Sequence, residues 1–220
     1  SFKTKRVTRY GSTLFDTLRS VINLALMKNH TASYLLIFFA AGSVLWAEDT
    51  PNNNQQNQDP LEDFRGEDVE ESWMTVNDNV MGGRSKGGFS VKKGKLLFSG
   101  STNTNGGGFS SIRMKPREMD LAGKKGVVIR FKGDGRTYKF DARMGRSSIA
   151  HRADFKTEAN PKGWQTVQIP FADLTATWRG MRLPPERAKL DVEKISGMGF
   201  MIYDKKDGPF ELKVDWIKTY

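Results

Sequence analysis

Cysteine is absent from the 220 residues, which removes disulfides, thiolate zinc sites, iron–sulfur ligation and a cysteine nucleophile together. It leaves export open, because a domain of this size can be stable without disulfides. Histidine is scarce: of two, only His151 lies beyond the N-terminal 47 residues. A Ser-His-Asp triad would have to use it, and no G-x-S-x-G nucleophile elbow occurs. A lone histidine in a strand-rich region is more simply structural. The clusters Gly106-Gly107-Gly108 and Gly197-Met198-Gly199 lack the strand–G-x-G-x-x-G–helix setting of a dinucleotide site. Carboxylate pairs stay open, since spacing alone fixes none. These absences weigh against catalysis: the chain reads as a non-enzyme with no cofactor.

Charge is present but uneven in origin. The formal charge is +10. Residues 1–47 carry six basic side chains (Lys3, Lys5, Arg6, Arg9, Arg19, Lys28) against Asp16, and the remainder carries 29 basic against 24 acidic residues. The latter are scattered rather than striped, so a solvated surface fits better than a nucleic-acid groove.

The leader divides in two. Residues 1–26 begin at Ser1 and read as an upstream extension. From Met27, a basic n-region precedes the apolar run Tyr34 to Ala47, shorter than the roughly 20 residues of a bilayer span. Residues 27–47 therefore read as a signal peptide cleaved after Ala47. That implies export to the periplasm or beyond the cell, with no stable membrane span after processing. An uncleaved anchor is one alternative. A mitochondrial presequence is another, because residues 1–26 are basic, hydroxyl-bearing and nearly free of acids. Residues 48–66, with P-N-N-N-Q-Q-N-Q-D-P, have little to bury and read as a flexible linker. The domain is expected over 67–220.

Within it the pattern is strand, turn, strand. Tyr138 to Arg143, Trp164 to Ile169 and Phe210 to Ile217 alternate with period two, and Gly126 to Lys132 is β-branched. One short helix is a candidate around Pro185–Leu190. Six to eight short strands predict an all-β antiparallel sandwich, and a jelly roll fits the size. Trp164 and Trp216, in alternating strands, are expected in the core.

Two segments stand out: Trp73 to Gly83 (W-M-T-V-N-D-N-V-M-G-G) and Asn105 to Ser111 (N-G-G-G-F-S-S). Each sets glycines and small polar residues beside large apolar ones, as sharp turns require. Gly82, Gly83, Gly107 and Gly108 are expected to be structural and to include positions at positive φ. Asn77-Asp78-Asn79 offers oxygen ligands but lacks the D-x-D-x-D-G loop of a calcium site. Asn77 and Asp78 are more simply turn-formers bonding their own backbone, and no metal site is expected.

Taken in order, these landmarks resemble the CIA30 family, the complex I intermediate-associated protein 30 domain. The resemblance runs through W-x-x-V-N-D-x-V-M-G-G (Trp73 to Gly83), Gly107-Gly108-Phe109-x-Ser111-x-Arg113 and Gly133-Asp134-Gly135-Arg136-x-Tyr138. It continues with Trp164-Gln165-Thr166-Val167, Arg179-Gly180, Gly199-Phe200-Met201-Ile202-x-Asp204-Lys205 and Asp215-Trp216-Ile217. It implies a galactose-binding-domain-like jelly roll and, for the family's eukaryotic members, assembly of respiratory complex I. Gly106 stands where the family often has Asn, and His151 where a tyrosine-like aromatic is usual. The partner implied is a protein, with a glycan as the alternative suggested by the fold's name. Asn77, Asp78, Asn105 and Arg136 are candidate binding residues, with Trp178, Arg179 and Arg182 of T-A-T-W-R-G-M-R. There an aromatic face flanked by guanidinium groups suits a planar or anionic ligand.

Overall fold

A computed structural model describes residues 60–220, so the expected segments 1–26 and 27–47, and the linker up to residue 59, lie outside the described residues. Twelve strands follow one another: β1 (Trp73–Asn77), β2 (Lys86–Val91), β3 (Leu96–Thr102), β4 (Ser110–Met114), β5 (Gly126–Lys132), β6 (Thr137–Met144), β7 (Ala150–Lys156), β8 (Gln165–Pro170), β9 (Thr175–Trp178), β10 (Met181–Arg182), β11 (Ile195–Ile202) and β12 (Gly208–Thr219). They form a seven-stranded sheet, β1-β4-β11-β6-β7-β9-β10, and a five-stranded sheet, β2-β3-β12-β5-β8. Every pairing is antiparallel. The protein is an antiparallel jelly-roll sandwich.

Period-two alternation explains the layering. In β6, Tyr138, Phe140 and Ala142 are buried while Lys139 and Arg143 face outward. In β5, Val127, Ile129 and Phe131 turn inward in the same way. Aromatic rings join the layers: Phe131 of one sheet meets Phe155 of the other at 5.2 Å, and Phe98 meets Tyr138 at 6.4 Å. β8 ends at Pro170 on the edge of its sheet, where a missing N–H disturbs no ladder.

Several expectations are corrected. The strands outnumber the expected six to eight in part because β2, β9 and β10 are short or glycine-bearing and owe their shape to their partners. The candidate helix at Pro185–Leu190 is a turn, in which Arg187 N–H donates to the Pro184 carbonyl at 3.0 Å. Trp164 and Trp216 are half-buried rather than core. Trp164 carries Lys95, Arg130 and Lys132 within 5.5 Å of its ring centroid. A register shift between Val214 and Trp216 breaks the alternation of β12. Asp215, at that shift, is buried and holds Lys95 and Arg130. The expected linker also ends early. Phe64 is 1% exposed and packs on Trp73 at 5.9 Å, and Glu62 pairs backbone to backbone with Ile217. Residues 61–66 therefore belong to the domain, not to a tether.

Candidate functional site

The two glycine segments meet at one side chain. Asp78, in the 3-10 turn Asp78–Met81 after β1, is fully buried. Its Oδ1 accepts the Ser85 N–H at 2.9 Å; its Oδ2 accepts the Ser85 hydroxyl at 2.6 Å, the Gly108 N–H at 2.6 Å and the Phe109 N–H at 3.2 Å. Burial works to raise this carboxyl, but the hydrogen bonds from Ser85, Gly108 and Phe109 outweigh it and hold its pKa below the ordinary value. So Asp78 bonds across the fold rather than to its own turn. The bonds are made to chain 7 to 31 residues away because the glycines let that chain come close. A Cβ on Gly83 or Gly107 would sit 2.3 or 2.4 Å from the Asp78 carboxyl atoms. Gly82 and Gly108 instead have φ of 87° and 110°.

The other expected residues separate. Asn77 donates its Nδ2–H to the Gly87 carbonyl at 3.0 Å. Asn105 is exposed on the loop before β4. Arg136 is bound within the protein: Nε and Nη2 grip Asp204 at 3.0 and 2.5 Å, and its remaining donors reach Thr102 Oγ1 and the carbonyls of Lys206, Gly208 and Pro209. That is a clamp at the base of β12, not a free guanidinium. Trp178 ends β9 rather than lying in a loop, because Arg179 and Gly180, at φ of 48° and 83°, make a two-residue hairpin turn into β10. Its ring is half-buried under the Arg179 guanidinium, 4.9 Å from the centroid.

A groove of about 970 Å3 runs across the outer face of the seven-stranded sheet. Arg179 and Arg182 line it; Trp178 does not. Sheet register shows how it is built. In one transverse row Met74 lies opposite Arg113, Arg113 opposite Gly199, Gly199 opposite Asp141, Asp141 opposite Arg152 and Arg152 opposite Thr175. The next row runs Val76, Ser111, Met201, Lys139, Asp154. Gly199 is itself buried and lets the β4 backbone come close: a Cβ there would sit 2.4 Å from the Ile112 carbonyl oxygen. Asp141 is 1% exposed, takes the Arg152 fork at 2.7 and 3.1 Å and accepts Arg143 Nη2 at 3.2 Å. Among the described residues, the Arg113 side chain has no hydrogen bond or ion pair. Burial, then the neighbouring Arg143 charge, lowers its pKa to about 10.

At one end the groove is apolar: Val80 and Met81 are 69% and 60% exposed, beside Val76, Phe109 and Tyr203. Arg113, Arg143, Arg152, Val80 and Met81 escaped the sequence reading. For the arginines the signal lay in outward positions of β4, β6 and β7, each next along the strand to a buried residue; Val80 and Met81, in the 3-10 turn, gave none. A second concavity, about 1160 Å3, lies beside His151, Phe171 and Pro184. His151 is buried there with Nε2 3.0 Å from the Ala188 carbonyl, tying down the segment after β10.

The family model described as complex I intermediate-associated protein 30 (CIA30) matches residues 62–214. The Mus musculus protein named complex I intermediate-associated protein 30, mitochondrial, is 27% identical over 180 residues, covering 71% of this chain and 54% of that one. A Caenorhabditis briggsae protein named probable complex I intermediate-associated protein 30, mitochondrial, is 26% identical over 151 residues, covering 58% of this chain and 43% of its own. The chain thus spans about half the length of the curated relatives it matches. Among solved structures, the family 11 carbohydrate-binding module of a Clostridium thermocellum cellulosomal cellulase matches with a TM-score of 0.51 at 17% identity, covering 72% of this chain and 94% of that one. That likeness shows the fold, a galactose-binding-like jelly roll.

Proposed function

The chain belongs to the CIA30 family, and from that premise we propose that it is a non-catalytic binding domain acting as an assembly factor of respiratory complex I, through protein interaction. The observation that carries this reading is the groove on the seven-stranded sheet. Val80 and Met81 are large, apolar and mostly exposed at its mouth, while arginines occupy its floor. Methionine and arginine are both enriched at protein interfaces. The groove fits a partner surface that combines apolar side chains with carboxylates, since its own cations exceed its acids. His151, the sole histidine past residue 47, is enclosed and bonded to Ala188, which supports a structural role for it.

The relatives' names favour the mitochondrion over export, and the basic, hydroxyl-rich residues 1–26 suit a presequence. Among the described residues no helix is long and apolar enough to cross a membrane. A glycan-binding role has weaker support. Stacking platforms for sugars are built on aromatic faces, and although Phe109 and Tyr203 line the groove, Trp73, Trp164, Trp178 and Trp216 all lie outside it.

The test is depletion of the protein from its own cells, followed by native-gel analysis of complex I. Partly assembled forms should accumulate. Wild-type protein and a Trp164→Ala control should restore assembly, and a Val80→Asp, Met81→Asp double variant should not. Unchanged complex I in depleted cells overturns the proposal.

A further inference from the structure

Three guanidinium groups, of Arg113, Arg143 and Arg152, line the groove, and one buried carboxylate, Asp141, pairs with two of them. Two of the cations are held by that carboxylate, and the group as a whole keeps two uncompensated positive charges. Arg113 faces Asp141 across the side-chain-free position of Gly199. Its Nε is shielded from solvent without a partner, and so is the Nε of Arg143. A buried donor without an acceptor is destabilising, more so when charged, and an uncompensated buried cation is more costly again. The sheet does not need this arrangement. A methionine at position 113 would cover the same backbone without the repulsion among the guanidinium groups.

We infer that the part of the groove lined by Arg113, Arg143 and Arg152 is a site for a doubly charged oxyanion, of the phosphate monoester class, held by those three side chains. The charge matches: a dianion neutralises the two excess positive charges, whereas a single carboxylate leaves one. The donors match as well. Guanidinium groups present planar forks suited to phosphate oxygens, and the two orphaned Nε–H groups belong to this cluster. Asp141, almost wholly buried, fixes two of the three arginines before any ligand arrives, so little order is lost on binding. The bound group is either free phosphate or a phosphoryl group carried on a partner's side chain. The site needs only the sheet's geometry and stands whether or not the groove docks an assembly partner.

The experiment uses the purified protein in a phosphate-free buffer at low ionic strength, with melting temperature and calorimetric titration as readouts. Inorganic phosphate should raise the melting temperature and bind saturably, and acetate at equal ionic strength should do neither. Arg113→Met should fold, melt at or above the wild-type temperature without phosphate, and bind phosphate at least tenfold more weakly. Arg143→Met provides a second variant, on β6 rather than β4. A phosphoserine peptide binding more tightly than inorganic phosphate assigns the group to a partner side chain; equal or weaker binding assigns it to free phosphate. Equal responses to acetate and phosphate, or phosphate binding that survives both substitutions, overturns the inference. Loss of complex I assembly in cells with intact phosphate binding, or the reverse, separates this site from the docking role.

Discussion

The Asp78 carboxylate accepts the Gly108 backbone N–H at 2.6 Å, joining two segments 30 residues apart. With the Ser85 and Phe109 donors it holds the start of β4 against the turn after β1. Four buried donors converge on two oxygens. Asp78→Asn places an NH2 group where an acceptor is needed, and should lower stability by about 2–4 kcal/mol. Denaturant titration of the variant checks this; a change below 1 kcal/mol would contradict the role.

The same carboxyl sets an acid limb. Its pKa is depressed in the folded state, so the native protein binds fewer protons than the unfolded chain. The stabilisation is present above the ordinary carboxylate pKa, about 3.9, and is lost as pH falls through the lower folded value. Melting temperature measured from pH 6 down to pH 2 should fall less steeply in Asp78→Asn than in wild type. Parallel curves would assign the acid limb to other carboxylates.

Three of the paired glycines, Gly82, Gly83 and Gly107, should rank by mechanism. Gly83→Ala and Gly107→Ala drive a Cβ into the Asp78 carboxyl, and should each cost more than Gly82→Ala, whose Cβ meets nothing within 4 Å. The latter carries only the strain of φ 87°, about 1 kcal/mol. Melting temperatures of the three variants give the order. A Gly82 variant that is the least stable would reverse the argument.

Arg136 is a clamp rather than a ligand contact. Arg136→Lys keeps the charge but cannot make the fork to Asp204 or reach Thr102 and three carbonyls together. It should cost about 2–3 kcal/mol, with phosphate binding in the groove unchanged. A variant that melts like wild type and loses binding would return Arg136 to the site.

Trp178→Ala removes a half-buried ring outside the groove. It should cost about 1–2 kcal/mol, less than the roughly 3–5 of a core aromatic. Partner binding should persist, whereas Arg182→Ala, within the groove, should weaken it with little change in melting temperature. Binding assays on both variants, with the partner identified by the depletion experiment, separate them.

The sequence by itself determined the class of fold. Alternation in β5, β6 and β8 sets which side chains turn inward, and that periodicity follows from the pleat alone. The family resemblance and the importance of the paired glycine segments were legible for the same reason, since turn chemistry and motif order are local. The tertiary structure decided what those segments do. No spacing rule links Asp78 to Gly108, and only the pairing of β1 with β4 brings them together. The same holds for the groove. Arg113, Asp141 and Arg152 lie on three strands, and the registers of β4, β11, β6 and β7 set them in one row. Trp164 and Trp216 were misplaced because period two identifies two faces without saying which is covered. That choice belongs to the register of the two sheets, and at Trp216 to a shift that no one-dimensional pattern announces.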